Sequence, residues 1–93
     1  MSYVYVFGVP GDNLVKVGYS QTPSLRRGCL RSKNKMPDGM MLFSVPCGGS
    51  NRAMRVEKTA HALLRELRIE GEWFLADLAT ARDAILAAKA SAP

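Results

Sequence analysis

The sequence predicts an α+β fold, a small three-stranded sheet covered by helices, with the elements in the order β-β-α-β-α-α. Three observations carry this. The chain opens on alternating aromatic and β-branched residues, Tyr3-Val4-Tyr5-Val6-Phe7, which is a strand pattern. Further on, Val56, Ala60, Leu63, Leu64 and Leu67 fall at the i, i+4, i+7, i+8, i+11 spacing of an amphipathic helix. With 93 residues, 47% of them hydrophobic, and neither repeat nor linker, the chain fits one domain with a thin core.

The elements follow in order. Residues 3 to 9 form the first strand, with Tyr3, Tyr5 and Phe7 on one face and Val4 and Val6 on the other, because side chains alternate. Pro10-Gly11-Asp12-Asn13 is a turn signal, and Leu14 to Tyr19 completes a β-hairpin. Ser20 or Thr22 caps a helix with Pro23 in its first turn, running to about Ser32 despite Gly28. Pro37-Asp38-Gly39 is the next turn, and the apolar Met40 to Val45 reads as a strand buried on both sides. Gly48-Gly49 ends it. Ser50 or Asn51 then caps a helix to about Leu67. Gly71-Glu72-Trp73-Phe74 is a tight connection whose aromatics pin the last helix, near Asp77 to Ala90, and residues 91 to 93 are a frayed tail.

Charge narrows the partners. The formal net charge is +5, and from Asn13 to Pro37 there are six cations (Lys16, Arg26, Arg27, Arg31, Lys33 and Lys35) and no acid. A basic block on one segment suits a phosphate backbone; the alternative is a solvated basic face. Cys29 and Cys47 have no zinc spacing and make no disulfide framework, so they read as idle thiols in a reducing compartment. The N-terminus lacks a basic lead for a secretion signal, and no apolar run reaches the ~20 residues that cross a bilayer. The expectation is a cytoplasmic protein without a membrane partner.

Glu57 is the most informative single residue. It lies about 75° from the centre of the apolar stripe, at the edge of the core-facing side. A carboxylate there can hold a hard cation such as magnesium. The alternative is a surface glutamate beside Lys58 or His61. His61, the one histidine, lies on the same side; it suits a phosphate contact or a proton transfer, or is an ordinary surface residue. Tyr5 and Tyr19 offer hydroxyls, although most tyrosines in small sheets are core residues with a wet tip. Lys16, between valines, fits an edge strand that needs protection. Arg26 and Arg27 are about 100° apart on a helix, so one faces a site and the other solvent.

Together these pieces resemble the GIY-YIG nuclease superfamily. Its first signature corresponds to Tyr3-Val4-Tyr5 and its second to Lys16-Val17-Gly18, followed by Tyr19-Ser20. Its arginine, eight residues after that glycine, falls on Arg26, with Arg27 next, and its helical glutamate on Glu57. The likeness is closest to a branch found in phage proteins and in a group named for a meiotically up-regulated gene. That branch has a Lys-Ile-Gly second signature, a Glu-x-x-x-His helix and a Gly-Glu-Trp-Phe segment. They correspond here to Lys16-Val17-Gly18, Glu57 to His61, and Gly71-Glu72-Trp73-Phe74. The resemblance covers about residues 3 to 86.

The resemblance implies a metal-dependent endonuclease hydrolysing DNA phosphodiesters. Tyr5 would help activate the attacking water, Glu57 would hold one Mg²⁺ or another divalent cation, and Arg26 would stabilise charge on the phosphate. Tyr19 would contribute its hydroxyl at the same site. Arg27, Arg31, Lys33, Lys35 and His61 would bind nucleic acid. A tyrosine with its ordinary pKa of about 10 is a poor base, so a neighbouring cation must favour its ionised form, and Lys16 is placed to do so. Glu72 reads as a cap or as a support behind the site. The departures are Tyr3 for the first glycine, Lys16 for the second tyrosine, and Leu30 where some members carry a histidine. The expectation is also that the separate DNA-targeting domain of many members is lacking. The domain would then rely on its basic strip, a homodimer or a protein partner. That leaves two alternatives: a nucleic-acid-binding module that cuts little, or a small phage factor modulating a host complex. Phosphate geometry alone does not separate DNA from RNA.

Overall fold

The computed structural model describes residues 1–8, 13–23 and 41–91. Its elements are β1 (Tyr3–Gly8), β2 (Val15–Ser20), β3 (Met41–Pro46), α1 (Ser50–Leu63), a 3₁₀ turn (Arg65–Leu67), β4 (Arg68–Glu70), β5 (Trp73–Phe74) and α2 (Leu78–Ser91). The α+β class is as expected; the three-stranded sheet and the β-β-α-β-α-α order are not. The described residues form one five-stranded sheet, ordered β3-β1-β2-β5-β4, with every pairing antiparallel. The extra strands come from the Gly71-Glu72-Trp73-Phe74 segment and the residues before it. Gly71 takes a φ of 53°, in the left-handed region that favours glycine, and turns the chain back on itself. Strands of two and three residues are too short to show a period in sequence. The helix expected to reach Ser32 lies, beyond Pro23, outside the described residues.

Directly opposed residues of an antiparallel pair point to the same face. Val6 opposes Val17, and Val4 opposes Val45, so these side chains share the face covered by the helices. Tyr5 opposes Gly18 and Phe7 opposes Lys16 on the other face. There the Tyr5 and Phe7 rings stack with centroids 4.3 Å apart. β3 departs from the expectation of burial on both sides: Val45 is buried but Ser44 and Pro46 are exposed. Among the described strands it pairs only with β1, on one side. Lys16 departs from the edge-strand expectation. β2 lies between β1 and β5, and Lys16 is only 8% exposed.

α1 buries Ala53, Val56 and Ala60, and Leu64 follows into the core. The helix stops at Leu63, four residues early. Leu64 leaves helical geometry (φ −101°, ψ 8°) and the chain tightens into the 3₁₀ turn, which throws Leu67 out of phase; Leu67 and Leu63, the last helical residue, are both exposed. The expected Ser50 or Asn51 cap is absent: Gly49 is the N-cap, without a side-chain bond, and the Ser50 hydroxyl meets Ser2 Oγ at 3.1 Å instead. α2 is capped by Asp77, whose Oδ1 accepts the Thr80 N–H at 2.7 Å, and hydrogen bonds from Thr80 hold that carboxyl below its usual range. No helix among the described residues is long and apolar enough to cross a membrane.

Candidate active site

The site grows out of an unfinished sheet edge. β5 pairs with β2 only at Val15 and Lys16, and the Val17 N–H makes one further bond, to Glu72 O at 2.9 Å. Beyond that point α1 side chains take the place of a strand. His61 Nε2 lies 2.9 Å from Val17 O; a carbonyl only accepts, so Nε2 carries the proton and donates. The Tyr19 backbone N–H donates to the Glu57 carboxylate. Glu57 and His61, one turn apart on α1, thus satisfy alternate residues of the same strand. The Phe74 ring lies 5.0 Å from the imidazole and holds its other side.

Gly18 makes room for the rest. A Cβ built there would stand 2.5 Å from the Tyr5 hydroxyl oxygen and 2.6 Å from Glu72 Oε1, so both oxygens occupy the space a side chain would fill. Glu72 Oε1 is 3.2 Å from Lys16 Nζ, and that ammonium lies 5.5 Å from the centre of the Trp73 ring. The ion pair lacks the alignment of a hydrogen bond. Among the described residues three buried side-chain nitrogen or oxygen atoms have no hydrogen-bond partner, and two of them, Glu57 Oε2 and Glu72 Oε1, are in this cluster.

These surroundings push the Glu57 carboxyl from its ordinary 4.5 up to about 7. Burial is the main cause and the charge of Glu72 the second; Lys16, the Tyr19 N–H and Lys58 pull the other way. A carboxyl near 7 can accept or release a proton at neutral pH. Two neighbouring carboxylates, each with a buried oxygen that accepts no hydrogen bond, also fit a hard divalent cation. Magnesium takes oxygen ligands and is commonly held by one or two carboxylates with water and a phosphate. Among the described residues no three His, Cys, Asp or Glu side chains gather as a closed metal cage. Beside the cluster opens a cleft of about 630 Å³, lined by Glu57, His61 and Glu72 and by Lys58, Arg65 and Arg68.

Of the residues singled out from sequence, Tyr5, Lys16, Glu57 and His61 come together here. Tyr19 contributes its backbone amide, while its side chain is exposed. Arg26, Arg27, Arg31, Lys33 and Lys35 lie outside the described residues. Glu72 is more central than a cap: it touches the Gly18 gap and Lys16 together. Its place in the Gly-Glu-Trp-Phe segment pointed towards it, but its direction depends on the Gly71 turn. Lys58, Arg65 and Arg68 were not singled out, although Lys58 and Arg65 share one flank of a helical pattern.

A comparison with protein families matches residues 2–89 to the T5orf172 domain. This chain belongs to the T5orf172 domain family. A search of curated proteins and a search of solved structures return no match. The T5orf172 domain is found in phage and endonuclease-like proteins, and membership suggests a nuclease-like or DNA-binding function. The match spans both sides of the site, from the Tyr5 strand through Glu57 to Glu72, so the whole cluster lies inside the shared domain.

Proposed function

We propose that this T5orf172 domain is a GIY-YIG-type endonuclease that hydrolyses DNA phosphodiesters with a divalent cation. The observation that supports this best is the convergence of the Tyr5 hydroxyl and Glu72 at Gly18, with Lys16 and Glu57 beside them. In the reaction a water oxygen forms a bond to phosphorus, the bond to the leaving oxygen breaks, and the water's proton passes to a base. Tyr5, whose hydroxyl stands at the Gly18 gap beside Glu72, is assigned the task of helping that proton leave the water. The Lys16 ammonium, held against Glu72, favours negative charge on the same face of the sheet as Tyr5. A divalent cation held by Glu57, with Glu72 at hand, would supply positive charge where the phosphate builds negative charge. Arg26, or Arg27 beside it, is assigned the task of meeting the phosphate oxygens by its match to the superfamily spacing.

Plasmid nicking tests this. The parent protein should relax supercoiled DNA in Mg²⁺ or Mn²⁺, and Glu57→Gln should be slower by about 100-fold or more. Equal cleavage by the two would mean a contaminating nuclease. Salt-sensitive DNA binding without any cleavage would sink the catalytic role and leave a binding module.

A further inference from the structure

We infer that Lys58, Arg65 and Arg68 form a second phosphate-binding track, which seats the backbone of a nucleic-acid strand on one side of the carboxylate cluster. This rests on the nucleic-acid reading above and adds to it three cations that do not belong to the basic segment of the sequence at residues 16 to 35. The three side chains line the same cleft as Glu57 and Glu72, and all three residues are exposed. Among the described residues none of them is in a salt bridge, the carboxylate pairs there being Lys16 with Glu72 and Arg82 with Asp83, and Lys58 acts on the Glu57 carboxyl only through its charge. Their charge is therefore available to a ligand.

Geometry orders them into a line. Lys58 projects from the last turns of α1 and Arg65 opens the 3₁₀ turn, and both line the cleft. Arg68 continues the line across the 3₁₀ turn. Its Nε donates to Gly71 O at 2.7 Å, which steadies the guanidinium and leaves its terminal nitrogens for the paired oxygens of a phosphate. Glu66 lines a neighbouring groove with Leu63 and Leu67, which Arg65 also borders, and it is absent from the lining of the carboxylate cleft.

Electrostatics gives the track its purpose. Two carboxylates at the floor of a cleft repel an incoming polyanion. Three unpaired cations along the rim offset that repulsion and fix the strand's register without reading its bases. The ligand they recognise is a run of phosphodiesters, not a single anion.

Salt-dependent binding decides the matter. In a Glu57→Gln background, which leaves the probe uncut, the affinity for a fluorescent DNA oligonucleotide is measured across a KCl series. Replacing Lys58, Arg65 and Arg68 together with Gln should flatten the slope of log K against log salt by about 2 to 3, from roughly 0.9 per duplex contact or 0.7 per single-strand contact. The affinity at low salt should fall at least tenfold. The control pair Arg82→Gln and Lys89→Gln, on α2, should change neither. An unchanged slope and affinity in a folded triple variant overturns the track alone. Absence of DNA binding by the Glu57→Gln protein itself overturns the nucleic-acid reading with it. Should the triple variant fail to fold, each single substitution must still remove close to one contact from the slope, and three flat results overturn the track.

Discussion

The two helices are each 14 residues long and both pack on the same face of the sheet, yet they do different work. α2 buries Ala81, Ala84, Ile85 and Ala88, and its remaining positions are solvent-facing or marginal. α1 buries a similar stripe, but on two successive turns the residue after a buried one is polar and half-buried: Glu57 after Val56, His61 after Ala60. α1 is the more amphipathic of the two, and what puts polar residues at its core boundary is the strand edge it lies against. Where β5 stops, β2 still has backbone groups to satisfy, and a helix flank that can satisfy them must carry polar side chains at the core boundary. The polar cluster is thus a consequence of an incomplete sheet edge, and α2, packed chiefly on β1 with a paired strand on each side, has no such demand.

The sharpest way to break this contrast is to damage α2. Ile85 is fully buried, and Ile85→Ala should cost about 2–5 kcal/mol, read as a lower urea midpoint with an unchanged slope. Because α2 supplies no group to the cluster, nicking measured well below the new melting temperature should remain within about threefold of the parent. A loss of activity in the folded variant on the scale of Glu57→Gln would mean that the two helices are not separate in function.

The same contrast shows what was legible in sequence. The apolar stripe of α1 repeats over three turns, so Val56, Ala60 and Leu64 could be placed, and with them the boundary position of Glu57. The alternation in β1 likewise separated Tyr5 from the valines. Lys16 was misread as edge protection because the strand that covers it is two residues long and leaves no periodic trace. Glu72 was underrated for a related reason: only the turn at Gly71 brings its carboxylate back across β2 to the gap at Gly18. The early end of α1 was hidden too, since Leu63 and Leu67 match the helical period yet fall on the exposed side of a chain that has begun to tighten.

A smaller effect is expected at Gly18, where β2 meets the α1 side of the contrast. An added methyl group would meet Tyr5 Cζ at 2.7 Å as well as the two oxygens. The Glu72 carboxylate is partly exposed and can swing away; the Tyr5 ring is buried and stacked on Phe7, so it resists. Gly18→Ala should therefore cost about 1–3 kcal/mol in stability. It should also slow nicking at least tenfold at a temperature where the protein is folded, because it separates Tyr5 from Glu72. Full activity in a folded Gly18→Ala protein would show that the close approach of those two oxygens is not needed.

The smallest effect concerns pH and isolates the polar boundary of α1. Glu57 has a carboxyl raised in the folded protein from 4.5 to about 7, so the fold favours its protonated form. The stability this contributes is complete below pH 4.5 and is lost as pH rises through 7. Glu57→Gln imitates the protonated acid at every pH. In EDTA the variant and the parent should therefore melt together near pH 4.5, and the variant should become the more stable by about 1–2 kcal/mol at pH 8, a value reduced for the partial exposure of the group. Taking the difference between the two proteins cancels the titration of all other groups that do not sense Glu57. A difference that stays flat from pH 4.5 to 8 would show that Glu57 is ionised as easily in the fold as in water, and the burial and the Glu72 charge could not then be acting on it. Adding Mn²⁺ at pH 8 should shrink the gap, because a cation held by the ionised carboxylate stabilises only the parent.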